Sequence, residues 1–414
     1  MNSRIIIVNR FFHPDLAPTA QLLSDVAFHL REAGMQVHAI TGRQRYDDPS
    51  TLFPRAEEAR GVHIHRVATT RLGRHGLWGR AIDFLSFYAT ATWRMLLLAR
   101  RGDIMIVTTD PPLMSLPASL VASLRGVRLV NSLQDLYPEV AQAAGLGGAI
   151  GKRLFPLLKR LRNLSLKKAA TNVVLGDGMA SRLRSEGLND EKIRIIPNWQ
   201  DGSLLKPVPH AANALREKWG LKDRFVVGYS GNLGRLHDVN TILDAIRRLH
   251  VRAASDAAAR RVLFLFIGGG ALHAQLQEEI RRHGLSNVMV KPYQPRRILA
   301  QSLSAADVHL ISLRPEFEGL AVPSKFYGVL AVGRPTIFIG GARGEIPRIL
   351  ARHGCGMAIE VGDGEKLAKA ILTLAEDAES CRRMGHKART LFMAEYDKPH
   401  AMRRWEELIR EVAN

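Results

Sequence analysis

The chain alternates short apolar runs with amphipathic stretches, and it does so twice. RIIIVNRFF, MQVHAITG, VHIHRVAT, DIMIVTTDPP, VRLVNSLQD, NVVLG and KIRIIPNW follow one another through the first half. Between them lie segments such as TAQLLSDVAFHLREAG, apolar at helical spacing and stopped at Gly34. The second half repeats the rhythm with RFVVGYSGNLG, VLFLFIGGG, NVMVKPY, VHLISL, PTIFIG and GMAIEV. Strands alternating with helices predict a parallel, doubly wound α/β sheet in each half. The turn-rich, aperiodic DGSLLKPVPH separates them and puts the boundary near residues 201 to 210. A length of 414 residues agrees, since it exceeds one ordinary core and suits two. Ligands of such sheets sit beyond the carboxyl ends of the strands, here expected in a cleft where two Rossmann-like domains face each other.

Charge narrows the partners. The formal net charge is +20, which calls for a polyanion: nucleic acid, anionic lipid or a phosphorylated small molecule. Nucleic acid is set aside because no recognition motif or aromatic-interleaved basic sheet accompanies the charge. Two cysteines, Cys355 and Cys381, exclude a disulfide framework and suit a reducing compartment. No Cys, His and carboxylate cluster has metal-ligand spacing, and His63 and His65 alternate as strand residues do. The opening MNSRIIIVNRFF lacks the apolar core and cleavage site of a signal peptide and reads as a first strand, so a cytoplasmic location is expected.

Two stretches break the rhythm. Residues 77–102, LWGRAIDFLSFYATATWRMLLLARRG, are long and apolar but carry Asp83 and Arg94, charges too costly for a membrane span. Residues 151–168, GKRLFPLLKRLRNLSLKK, hold seven basic residues and no acidic ones, with Leu and Phe between them. That is the makeup of a helix lying on an anionic membrane, and equally that of a core helix with a solvated basic face.

Three loops are placed for chemistry. YSGNLGRLHD, residues 229–238, joins a strand to a helix through Gly231 and Gly234, which let backbone approach a phosphate. IGGG, residues 267–270, repeats the device after the next strand. Neither is a dinucleotide or Walker fingerprint. EFEGLAVPSKFYGVLAVGRP, residues 316–335, adds a cation: Lys325 lies near a predicted helix start, unfavourable with the helix dipole unless an anion is present. Glu316 and Glu318 stand before it as candidate hydroxyl-binding carboxylates. The plain alternative makes Ser324 an N-cap, Lys325 solvated and the glutamates surface residues.

The ordered set of strand-GNLG, strand-GGG, KPY, EGLAVPSK and GRP resembles the donor half of the retaining family-four glycosyltransferases of GT-B fold. The resemblance is to the bacterial branch that builds O-antigen, capsule and exopolysaccharide, and it covers nearly the whole chain. FFHPDLAPTAQLLSDVAFHLREAGMQVHAIT is similar to the family's opening strand, loop and helix; NSLQDLYPE to its acidic-aromatic-proline loop; RIIPNWQD to its hinge-side sequence; DKPHAMRRWEELIREVAN to the helix that crosses back to the first domain. The resemblance implies an acceptor-binding domain over residues 1–203, carrying both membrane-docking stretches. A donor domain over 204–392 and a returning helix over 393–414 complete it.

The same resemblance implies the sites. The diphosphate of a UDP- or GDP-linked sugar would meet the turn Gly231, Asn232, Gly234 and Arg235, then Gly268 and Gly269, the backbone of Gly319, Leu320, Ala321 and Val322, and Ser324 with Lys325. The base would rest near Pro292 and Tyr293, and Glu318 would face the sugar hydroxyls. Asp135 and the loop Ala17, Pro18 and Thr19 would line the acceptor side. Many members carry a second glutamate eight positions after the first; here that count gives Phe326, and alignment on AVGRP gives Gly328. Where others have an arginine and a lysine in the first glycine turn, this chain has Asn232 and His237, so the phosphate charge falls on Lys325, helped by Arg235 or Arg314.

The chemistry this implies breaks a sugar–phosphate bond, and fixed cations and amide dipoles stabilise the leaving diphosphate without a metal or other cofactor. In retaining members the leaving phosphate takes the acceptor's proton on the same face, which leaves Asp135 a positioning or acid–base part. A lipid-linked glycan acceptor on a polyprenyl diphosphate would give the basic amphipathic stretches their purpose, docking the enzyme on the inner face of the cytoplasmic membrane. Two other readings share the architecture. One is a nucleotide-sugar epimerase, which needs no acceptor; the other is an inactive basic scaffold or binding protein.

Overall fold

A computed structural model describes residues 4–48, 50–73 and 76–414. Met1–Ser3, at the start of the stretch read as the first strand, lie outside the described residues. The chain divides into two units, one of residues Met1–Pro197 with Pro399–Asn414, the other Asn198–Lys398.

Among the described residues the first unit holds eight strands: β1 (Ile5–Val8), β2 (Val37–Gly42), β3 (Ala56–Ala59), β4 (Val62–Val67), β5 (Ile104–Thr108), β6 (Arg128–Ser132), β7 (Thr171–Val174) and β8 (Ile193–Ile195). They lie in the order β3-β4-β2-β1-β5-β6-β7-β8. The central strands read IIIV and IMIVT and are buried throughout, as strands covered on both faces must be. Toward the edge, β4 (VHIHRV) largely alternates buried with half-buried positions. β3 (AEEA) is antiparallel to it, an edge strand that the sequence rhythm did not announce because two glutamates replace its apolar run. The unit's helices are α1 (Pro18–Glu32), α2 (Leu77–Leu98), α3 (Ser115–Arg125), α4 (Glu139–Ala143), α5 (Gly148–Lys168) and α6 (Asp177–Ser185). The terminal helix, Lys398–Ala413, joins this unit: Glu406 meets His29 of α1 at 2.8 Å, and Arg128 donates to the Val412 carbonyl at 2.7 Å.

The second unit has six strands, all parallel: β9 (Phe225–Asn232), β10 (Val262–Gly269), β11 (Val288–Lys291), β12 (Val308–Ser312), β13 (Thr336–Ile339) and β14 (Gly356–Ile359), in the order β11-β10-β9-β12-β13-β14. Phe264, Leu310, Ile337 and Ile339 make its core with the helices Asn240–Arg252 and Gly364–Glu376. The unit begins before the 203/204 boundary because Trp199 and Leu205 are buried and the Gly202 amide donates to Asp397 at 2.9 Å. It ends after 392 because Tyr396 packs on Tyr327 with ring centroids 5.2 Å apart.

Stretch 77–102 forms α2, and Asp83 and Arg94 each find their own hydrogen-bond partners. Asp83 is buried and accepts from the Thr70 hydroxyl at 2.7 Å and from the Leu72 and Gly73 amides at 2.9 Å, while Arg94 donates to His65 at 2.7 Å. Stretch 151–168 falls within α5, whose basic residues are not all on the surface. Arg162 is buried and pairs with Glu139 at 2.6 Å and Glu186 at 2.8 Å. Among the described residues no helix is long and apolar enough to cross a membrane.

Candidate functional site

In the second unit the strand order reverses direction between β9 and β12, so a crevice opens beyond their carboxyl ends. The turn after β9 and the segment after β12 meet there, joined where the Arg314 amide donates to the Leu236 carbonyl at 2.9 Å. Lys325 opens the short helix Lys325–Ala331 and reaches back across this crevice. Its ammonium donates to the Tyr229 hydroxyl at 2.6 Å and the Asn232 carbonyl at 3.2 Å, and lies 4.0 Å from the Tyr229 ring centroid. It also comes within 3.5 Å of His237 Nε2. Every one of these partners is neutral. Burial therefore pushes the lysine pKa down to about 7, with no carboxylate to restore it.

His237 completes the neutral cradle. Its Nδ1 stands 2.5 Å from the Ser312 carbonyl, which only accepts, so the proton is on Nδ1 and Nε2 turns a lone pair toward Lys325. Burial, then the Lys325 charge, hold its pKa down at about 3. Tyr229 and His237 were legible only as turn residues, because nothing local says that a lysine some ninety positions on will fold onto them.

The glycines serve close approach. Gly231 has φ +116°, which side chains rarely adopt, and Lys325 Cε passes within ordinary contact, 3.8 Å, of where a methyl would stand. A methyl on Gly268, at φ +133°, would stand 2.4 Å from the Gly231 carbonyl oxygen and 3.2 Å from the Tyr293 ring. Gly269 is likewise covered by Tyr293, at 3.5 Å. So the structure gathers Gly231, Asn232, Gly268, Gly269, Tyr293 and Lys325. Pro292 and Gly234 lie on the adjoining loops, and Arg235 is exposed, offering its carbonyl to Arg314 at 3.4 Å.

Segment 319–324 departs from its expectation. The amides of Leu320 and Ala321 both donate to the Phe317 carbonyl, at 3.0 and 3.2 Å, and so are not free for a ligand. Ser324 does stand at the N-cap of this helix, but its side chain makes no capping hydrogen bond. Glu316 pairs with Arg314, which takes that helper away from a phosphate. Glu318 does not join Lys325; it packs against Gly341 and Gly344, its pKa raised by burial and only partly restored by the Gly341 amide and Arg348. Phe326 and Gly328 are buried in the helix, so neither offers a ribose contact.

The first unit has its own crevice, where its strand order reverses between β1 and β5. Asp110 follows β5 and accepts from the Thr19 hydroxyl at 3.1 Å. Burial raises its pKa, with Arg10 and Thr19 pulling it back. Asp135 follows β6, its amide 3.3 Å from Thr109 Oγ1, and burial, then the Asp110 charge, push it up to about 6. Beside Asp135 a cavity of about 10 Å³, room for a single water, is lined by Thr109, Asn131, Tyr137 and Arg162. Thr19 joins this group directly. Ala17 and Pro18 form the start of α1, with the Ala17 amide held by Asp15 at 3.0 Å. Asp110, Arg10 and Tyr137 were missed by sequence reasoning; the signal for Asp110 was an acid two residues past a central apolar strand. Among the described residues, no group of three His, Cys, Asp or Glu is placed to hold a metal ion.

Two family descriptions match this chain in tandem: Glycosyl transferase 4-like domain over residues 20–199 and Glycosyl transferases group 1 over residues 212–391. The fold matches as well. Over 99% of both chains it resembles HepE of Anabaena, solved with UDP-glucose, with a TM-score of 0.72 at 17% identity. The chain belongs to the family-four glycosyltransferases of GT-B fold. Within that family it falls in the polysaccharide-building branch. It is 28% identical over 321 residues to the probable glycosyltransferase WbjE of Pseudomonas aeruginosa, 76% of each protein. It is 24% identical over 379 residues to WcaI of Escherichia coli K12, a putative colanic acid biosynthesis glycosyl transferase, 89% of this glycosyltransferase and 91% of that one.

Proposed function

We propose that this glycosyltransferase moves a sugar from a UDP- or GDP-linked donor, with retention of configuration, to a glycan on a polyprenyl diphosphate during bacterial surface-polysaccharide synthesis. The donor binds in the second unit and the acceptor in the first. The observation that carries the reading is Lys325, a partly desolvated ammonium held over Tyr229 with only neutral partners. An anion is what this arrangement lacks, and a diphosphate beside Gly231 and Gly268 supplies it. HepE, of the same fold, was solved with UDP-glucose, which supports a nucleotide sugar as that ligand.

In the reaction the anomeric carbon–oxygen bond breaks and its electron pair leaves on the diphosphate, whose growing charge Lys325 stabilises. The acceptor oxygen bonds to the same face of the sugar, and its proton passes to the departing phosphate oxygen. Asp135 and Asp110 hold the acceptor's hydroxyls, and Glu318 those of the sugar. No step in this scheme calls for a metal or other cofactor.

The site of action is the inner face of the cytoplasmic membrane, on an anionic surface. α3 packs against both α2 and α5, and the three helices leave Leu85 and Trp93, Leu124, and Leu157 and Leu161 exposed, the last two in a helix that carries seven basic residues between 151 and 168. Apolar side chains beside lysines and arginines are the composition of a peripheral docking surface. The test has two arms. Nucleotide release from UDP- and GDP-sugars, without added metal, is followed with membrane extract as acceptor, and the anomer of the product is read by NMR. Flotation with phosphatidylglycerol vesicles at low salt reads docking. An inverted product removes retention, release of epimerised sugar without acceptor removes transfer, and protein that ignores the vesicles removes the membrane.

A further inference from the structure

We infer that Arg10 is the anion receptor of the acceptor subsite, binding the phosphate that joins the acceptor glycan to its carrier lipid. This rests on the reading that the acceptor binds in the first unit. Arg10 lies just past β1, at the switch point, and its backbone is fixed from two sides. Its amide donates to the Asp110 carbonyl at 2.9 Å, and its carbonyl accepts from the Gly42 amide at 2.9 Å and the Thr41 hydroxyl at 3.0 Å. The guanidinium then sits against two rings, its carbon 5.2 Å from the Phe11 centroid and 5.0 Å from that of Phe84. Phe11 is itself held edge-on by Tyr46, 5.4 Å away.

Among the described residues this guanidinium donates no hydrogen bond. Other arginines packed into the unit have protein acceptors: Arg4 donates to Asp103 and the Leu98 carbonyl, Arg162 to Glu139 and Glu186. Ring faces stabilise a cation without using its in-plane N–H groups, so Arg10 is oriented while its donor fork stays open. Ordering a long side chain costs conformational entropy, and here no protein acceptor offsets it. An open, oriented fork fits two oxygens of a phosphate. Asp110, next to it, feels the cation but lies beyond ion-pair distance, and it already accepts from Thr19.

The choice of a carrier phosphate follows from α2. This helix contributes Phe84 to the receptor and exposes Leu85 and Trp93 on its outer side. A phosphate on Arg10 thus places an attached prenyl chain one helix width from an apolar surface. A free phosphate would satisfy the fork equally but would not use that surface.

The experiment titrates farnesyl diphosphate and, separately, inorganic pyrophosphate into the full-length protein saturated with UDP, comparing wild type with Arg10→Gln and Arg10→Lys. Farnesyl diphosphate is expected to bind wild type more tightly than pyrophosphate does. It should weaken about tenfold to a hundredfold in Arg10→Gln, the loss of hydrogen bonds to a charged group. Arg10→Lys should fall between, since it keeps the charge without the fork. UDP affinity is unchanged in both variants, which also reports that they are folded. Farnesyl diphosphate bound equally by wild type and Arg10→Gln, or not bound by wild type, overturns the inference. Arg10-dependent binding with no preference for the prenyl chain assigns the receptor to free phosphate and overturns the carrier. Failure of UDP itself to bind would instead strike the donor assignment in the second unit, and the titrations without UDP would still read Arg10.

Discussion

Replacing Lys325 with methionine keeps an unbranched stem near the Tyr229 ring and deletes the charge. A hydrogen bond to a charged group contributes about 1.5–3 kcal/mol, so UDP is expected to bind Lys325→Met about tenfold to 150-fold more weakly near pH 7. The lowered pKa of about 7 adds a signature in pH. A bound diphosphate raises that pKa, so above pH 7 the free lysine must take up a proton before it can hold the ligand. Each pH unit then costs about 1.4 kcal/mol, and wild-type affinity falls about tenfold per unit until the bound-state pKa is reached. The variant lacks this fall and shows only the ionisation of UDP itself. Without ligand the sign reverses. The folded pKa lies below the ordinary 10.5, so the charged form is the one folding disfavours; stability rises between pH 7 and 10.5, and the methionine variant is the more stable apoprotein at pH 7. Calorimetry at pH 6.5, 7.5 and 8.5, in buffers of different ionisation enthalpy, measures both affinity and proton uptake. Affinity of Lys325→Met within about threefold of wild type, with no proton uptake by either, refutes the reasoning.

Three further outcomes follow from particular contacts. Asp135→Asn should remove the acid limb of the rate profile, which in wild type falls as pH drops through about 6 and the carboxylate protonates; an unchanged profile takes Asp135 out of the reaction. Arg162→Met should destabilise the first unit by about 1.5–3 kcal/mol in urea melts, since Glu139 then keeps only Lys159 at 3.4 Å and Glu186 keeps Lys159 and Arg182. Burial would raise Glu186, but Lys159, Arg162 and Arg182 hold it below its ordinary value. The stability this adds is therefore present above that value and lost as pH falls through the lowered one, a dependence the variant flattens. Gly268→Ala, whose methyl meets the Gly231 carbonyl at 2.4 Å at φ +133°, should cost about 1–3 kcal/mol and weaken UDP by displacing Gly231 from beside Lys325; wild-type UDP affinity there would separate the glycine turn from the donor site.

Sequence periodicity determined the two parallel sheets, because continuous runs such as IIIV and VLFLFIGG have no stable place except inside a covered sheet. The β3 edge strand escaped it, since AEEA carries no apolar signal and is held by pairing with β4 alone. The family was legible because the glycine turns, the KPY loop and EGLAVPSK come in a fixed order along the chain, and order survives where individual residues change. Lys325 was singled out by its misfit with a helix start, a local property. What surrounds it is not local: Tyr229 lies near the end of β9 and His237 in the turn after it, and the pairing of β9 with β12 brings them around it. The same holds for Arg10, whose clamp is Phe11 beside it and Phe84 from α2. Arg162 taught the converse, a residue counted as surface charge that the fold turned inward to two glutamates. Apolar pattern and turn chemistry act between near neighbours and can be read from the string. The desolvation and the partners that set a charge's behaviour arise from distant segments, and tertiary structure alone brings those together.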